Sequence, residues 1–114
     1  IDCLVCVRRD MADEVWVVQT TLPVEWLEPL VGEWCYNIIS QDLAACAQRH
    51  SITSMFKWED EVQSAEEWRI QFKTTFSKKD HLISKITAEH PYDIPMIIAF
   101  AAETTSEYAE WVNS

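Results

Sequence analysis

The chain has 114 residues, 48% hydrophobic and 25% charged, the make-up of one globular domain that buries roughly two-thirds of the surface its unfolded chain would expose. Its single glycine, Gly32, excludes the Walker and Rossmann phosphate loops, which need several. A formal charge of −10 repels a nucleic-acid backbone and favours cations. The longest apolar run, Ile94 to Ala102, is well short of the ~20 residues that span a bilayer, so neither nucleic acid nor membrane is expected as a partner.

Cys3, Cys6, Cys35 and Cys46 are too few and too irregular for a disulfide scaffold, which points to a reducing, cytoplasmic compartment. Cys3-Leu-Val-Cys6 has the spacing of a redox couple or half a zinc site, but no second ligand pair completes it. It reads more simply as an apolar, strand-like segment. Met11-Ala12-Asp13 resembles a natural start, which sets residues 1–10 apart as an upstream or expression-derived extension and 11–114 as the domain. Arg8-Arg9 follows the short apolar stretch instead of preceding it, so a signal peptide is not indicated.

Glu14 to Thr20 is β-branched and aromatic, and Val15 to Val18 are apolar in both registers, which predicts a central strand ended by Thr21-Leu22-Pro23. Pro29 suits the first turn of a helix running to about Leu43, with Val31, Trp34, Ile38 and Ile39 at helical spacing. Val24 to Glu28 fits either an extra turn or an irregular loop, and the segment through Gly32 stays open. Trp68, Ile70 and Phe72 alternate with Arg69, Gln71 and Lys73, the pattern of a strand with one buried face. Ile52, Phe56 and Trp58 share one face of a partner strand, and Glu59-Asp60-Glu61 makes the hairpin turn, Asp60 tolerating a left-handed backbone. Glu66-Glu67 reads as a solvated strand edge. Ser77 is placed as the N-cap of a second helix, Lys78 to Glu89, with Leu82, Ile83 and Ile86 inward. The prolines of His90-Pro91-Tyr92-Asp93-Ile94-Pro95 end it. Met96 to Ala102 is the fourth strand and Ser106 to Val112 a short terminal helix.

The order is that of an α+β, ferredoxin-like βαββαβ sandwich with both helices on one face. Its last strand lies at a sheet edge, yet Met96 to Phe100 is apolar in both registers. The hairpin strands are also longer than two helices can shelter. An oligomer that covers these surfaces is the expectation.

Leu43-Ala44-Ala45-Cys46, then Ile52-Thr53-Ser54-Met55-Phe56-Lys57-Trp58-Glu59, Lys73-Thr74-Thr75 and His90-Pro91-Tyr92-Asp93-Ile94-Pro95 resemble, in order and spacing, the motifs of the CutA family of divalent-cation-tolerance proteins. The resemblance runs from about Val15 to Val112. It implies a PII-like homotrimer in which long hairpins wrap neighbouring subunits. It also implies Cu2+ or another divalent metal as a bound group, with Thr20, Glu89 and His90 at the matching positions. Thr20 supplies only a neutral hydroxyl where a thiolate would stand, and a histidine at a helix end also serves as a hydrogen-bonding or capping group. Lys73, Glu59 and Glu103 match charged positions of the intersubunit cleft, where they suit either a small ion or an ion-pair network between subunits. Cys46 is either a buried thiol or a group facing that cleft. Trp58, Tyr92 and Trp111 offer large apolar anchors. The chain departs from the family in a longer stretch at Glu25 to Gly32, in Asp60 for a tip glycine and in Met96 for a glutamate. His50 and His81 match no family ligand. No nucleophile elbow, zinc-protease motif or differentiated carboxylate pair points to an enzyme. The function implied is divalent-cation binding and tolerance, with a PII-like signalling or interaction module, taking a small ligand or partner at the cleft, as the alternative.

Overall fold

The computed structural model describes residues 13–114; Cys3, Cys6 and Met11 lie outside them. The elements are β1 (Glu14–Pro23), α1 (Glu28–Ser40), β2 (Cys46–Trp58), β3 (Glu61–Thr74), α2 (Phe76–Glu89), β4 (Ile97–Glu103) and α3 (Ser106–Asn113). The four strands form one antiparallel sheet in the order β2-β3-β1-β4. This is the ferredoxin-like arrangement with a terminal helix added.

Several boundaries differ from the sequence reading, each for a local reason. β1 does not break at Thr21 but continues to Pro23, because β3 pairs with it as far as Pro23↔Glu67 and Leu22 is fully buried. Val24 to Leu27 is a turn, not helix, closed by the Trp26 N–H on the Pro23 carbonyl at 3.0 Å and fixed by the Trp68 indole donating to the Trp26 carbonyl at 2.8 Å. α1 stops at Ser40, before Leu43, since Asp42 takes φ 62°. The N-cap of α2 is Thr75, not Ser77; its extended backbone lets Oγ1 accept the Lys78 N–H at 3.2 Å, the usual capping geometry. β4 starts one residue late, at Ile97.

Side chains alternate across a strand, and on β1 and β3 the even positions go inward. Val18, Leu22, Ile70 and Phe72 pack with Val31, Trp34, Cys35 and Ile38 of α1 and Leu82 and Ile86 of α2. β2 pairs with β3 so that even faces odd: Ile52↔Glu67, Phe56↔Gln63, Trp58↔Glu61. Ile52, Phe56 and Trp58 therefore share the face opposite Phe72, which α1 and α2 leave bare. α3 covers only one end of that face, where Val15, Ala109 and Val112 meet Ala45, Ala102 and Tyr108.

Beyond Pro23, β2 and β3 continue as a two-stranded ribbon from Thr53↔Glu66 to Trp58↔Glu61. Glu59 and Asp60 close it with φ of 51° and 65°, the pair of left-handed residues that a type I′ turn requires. The projection makes the chain long, 53 × 33 × 22 Å, with a radius of gyration of 16.2 Å against about 13 Å for a compact chain of this size. Phe72, fully buried between the sheet and Trp34, is central to what core there is. Phe72→Ala is expected to lower the unfolding free energy by about 3–5 kcal/mol, read from denaturant titration.

Candidate functional site

Two features stand out: the bare sheet face and the strap that crosses its edge. The face holds a groove of about 1000 Å³ lined by Ile52, Phe56, Trp58, Tyr92, Met96 and Ile98 together with polar residues of β1 and β3. Ile98 and Phe100 on β4 are 48% and 42% exposed, although they project from a strand. A polar row runs down the centre of the same face. The Arg69 guanidinium donates to Gln19 Oε1 at 2.8 Å, and the Lys73 ammonium donates to Gln71 Oε1 at 2.9 Å and to Gln48. Both cations are thus held by neutral amides, in a chain rich in carboxylates.

The strap is His90 to Met96, leading from α2 into β4. His90 Nδ1 accepts the Tyr92 N–H at 3.1 Å, so that nitrogen carries no proton. Nε2 is therefore protonated and donates to the Thr21 carbonyl at 2.7 Å. Burial pushes the His90 pKa below its ordinary value, against the opposing pull of the Thr21 carbonyl and the Glu67 carboxylate. The Tyr92 ring lies 5.0 Å from the imidazole, and its hydroxyl donates to Glu67 Oε2 at 2.9 Å. Burial first, and the Glu67 carboxylate second, push the Tyr92 phenol well above the ordinary tyrosine range.

The implied metal positions can be tested against this geometry. Thr20 is fully buried, its hydroxyl directed to the Thr21 carbonyl at 3.5 Å. Glu89 Oε1 accepts the Trp34 indole N–H at 2.9 Å, and Oε2 pairs with Lys85 at 2.8 Å. The Lys85 ammonium, helped by that indole, holds the Glu89 carboxyl below its usual range. Both nitrogens of His90 are engaged. Every donor atom of Thr20, Glu89 and His90 is committed to the protein itself, and among the described residues no three His, Cys, Asp or Glu side chains gather to hold a metal. The residues present do not fit a resident cation.

The residues expected at a cleft fall in separate places within the chain. Cys46 is a half-buried free thiol opposite Lys73, beside the Tyr108 hydroxyl, whose pKa burial and then Cys46 raise. Trp58 and Glu59 are at the ribbon tip, twelve residues along β2 or about 40 Å away. Tyr92 is at mid-face on Glu67, and Glu103 is exposed at the end of β4 opposite Glu14. Sequence reasoning missed Gln19, Thr21, Arg69 and Glu67. Glu67 is not a solvated edge but a half-buried acceptor. Strand alternation flagged its face as outward, and nothing local reveals that a distant tyrosine returns to it.

A family model described as CutA1 divalent ion tolerance protein matches residues 17–114. The divalent-cation tolerance protein CutA of Thermotoga maritima is 30% identical over 98 residues, covering 85% of this chain and 94% of its own length. Among solved structures, the divalent ion tolerance protein CutA1 from Ehrlichia chaffeensis superposes with a TM-score of 0.77 at 34% identity, over 87% of this chain and 92% of that one. The PII-like protein CutA from Nostoc sp. PCC 7120, at 23% identity, shares the fold with a TM-score of 0.76 over 85% of this chain and 92% of its own.

Two outcomes follow from the strap. The His90 imidazole is expected to titrate below 6.5, followed by NMR. The unfolded chain then binds its proton first as pH falls, so the contribution of His90 to stability is complete above the unfolded value and is lost as pH drops towards the folded one. Tyr92→Phe leaves Glu67 without its donor and is expected to cost about 1–2 kcal/mol in denaturant titration.

Proposed function

The chain belongs to the CutA1 divalent ion tolerance family, and from that premise we propose that it serves divalent-cation tolerance as a cytoplasmic homotrimer, by binding and without catalysis. One observation carries the assembly: a strand-built face with Phe56, Trp58, Ile98 and Phe100 exposed, continuous with a ribbon that no third strand supports among the described residues. An isolated two-stranded ribbon is marginal in water, and an apolar face of this extent marks an interaction surface. A second copy brings the same ribbon and the same face, so each covers what the other exposes. Three copies also triple a charge of −10 per chain, which the apolar burial must outweigh. Assembly would let the tip residues Trp58 and Glu59 of one copy approach the Lys73, Cys46 and Tyr92 region of another. The reading takes no cation ligands from Thr20, Glu89 and His90, whose donor atoms are committed.

A PII-like module taking a small ligand at the intersubunit cleft is the second reading. It is favoured by Lys73 and Arg69, cations whose partners among the described residues are amides, which suit an anionic ligand.

Light scattering is expected to give three times the subunit mass for the wild type and a lower mass for Phe56→Asp and Trp58→Asp, because each buries a charge in an apolar contact. Full-mass assemblies of both variants would sink the packing scheme. Thermal melts of the assembled protein separate the two ligand readings. Cu2+ or Zn2+ at a hundred times its dissociation constant is expected to stabilise by about 2.7 kcal/mol. A shift with small carboxylates or phosphates, and none with metals, would favour the second.

A further inference from the structure

We propose that His90 is a positioning residue for the subunit interface: it stands in for the strand that β4 fails to supply and fixes the strap that carries Tyr92, Ile94 and Met96 onto the bare face. β4 pairs with β1 only as far as Thr20↔Ile97, whereas β3 follows β1 three residues further. At Thr21 the β4 side of the ladder has ended. Pro91 and Pro95 flank the gap, and proline has no N–H to donate. Thr21 is nevertheless buried, its carbonyl reached by the Thr20 hydroxyl only at 3.5 Å, and a buried carbonyl so weakly satisfied is costly. The imidazole Nε2–H fills the position of the missing peptide N–H.

The same ring acts at its other nitrogen. By accepting the Tyr92 N–H, Nδ1 closes a turn between the side chain and the backbone two residues on, as asparagine does in Asx turns. That turn aims the Tyr92 hydroxyl at Glu67 on β3. The strap is therefore held at three points, on β1, within itself and on β3. Beyond them the 80%-exposed Ile94 is presented to solvent at the rim of the groove. A metal at His90 would have to displace either the Thr21 carbonyl or the Tyr92 N–H, releasing the strap.

The inference rests on the assembly proposed above, and the test separates the two. In nitrogen-15-labelled wild type at neutral pH, the His90 ring is expected to show one tautomer, with the proton on Nε2, unaltered by an equimolar amount of Zn2+. Mixed tautomers, or loss of the Nε2 proton to Zn2+, overturn the proposal. On serial dilution followed by light scattering, His90→Ala is expected to raise the dissociation midpoint by about tenfold or more. His90→Gln, whose amide reaches as far as Nε2 and can still donate to Thr21, is expected to recover most of that loss. Equal behaviour of Ala, Gln and wild type overturns it. Should His90→Ala not fold, the ring spectrum and the Gln variant decide. A wild type that stays monomeric defeats both readings, whereas an assembled wild type indifferent to His90→Ala defeats only this one.

Discussion

Thirteen of the fourteen residues of β3 pair with β2, but only eight pair with β1, and this mismatch governs the rest of the molecule. Where β1 is present, helices can pack on one face and a core forms. Where it is absent, a ribbon projects with no layer from the described residues on either side, Met55 and Val62 on one face and Phe56 and Trp58 on the other. A chain built this way has a small core and a large unsheltered sheet, so in the assembly proposed above folding and association would draw on the same apolar surface.

The strap between α2 and β4 shows how the fold treats the opposite mismatch, where β1 outlasts β4. A side chain substitutes for backbone at Thr21, and the substitute must be able to accept on one nitrogen while donating on the other. Neutral histidine meets that demand, and burial favours the neutral form. Glu89, next in the chain, is held by Trp34 of α1 and Lys85 of α2, so it joins the two helices above the sheet while its neighbour joins the strap to the sheet below. Two adjacent residues that a family likeness groups as possible ligands thus serve two different layers.

How much of this was legible in the sequence depended on how local its cause is. The period of two in Trp68, Ile70 and Phe72 and the helical spacing of Leu82, Ile83 and Ile86 identified the elements directly, and the apolar fourth strand correctly announced an unusual edge. The N-cap was misplaced by two residues because Thr75 and Ser77 are both competent caps, and only the backbone angle at Thr75 decides between them. The end of β1 was misread because Leu22-Pro23 looks like a breaker, while the pairing that extends it comes from β3, some forty-five residues away. The bond from His90 to Thr21 spans 69 positions, and nothing in the residues around either end specifies it. Family likeness placed attention on His90, but only geometry showed that its ring was already occupied.

The acidic ribbon tip has a bearing on which contacts the exposed strands can make. Glu59, Asp60 and Glu61 sit at the end of the least sheltered part of the described chain, beside β2, an edge strand of the sheet. Exposed strands of that kind invite indiscriminate pairing with any other unfinished chain, and clustered carboxylates discourage it. A glycine at the turn would relieve the backbone but contribute nothing to that defence. By using Asp60 there, the chain accepts a left-handed conformation in a charged residue, and the three carboxylates at the tip work against the edge-to-edge pairing of one ribbon with another.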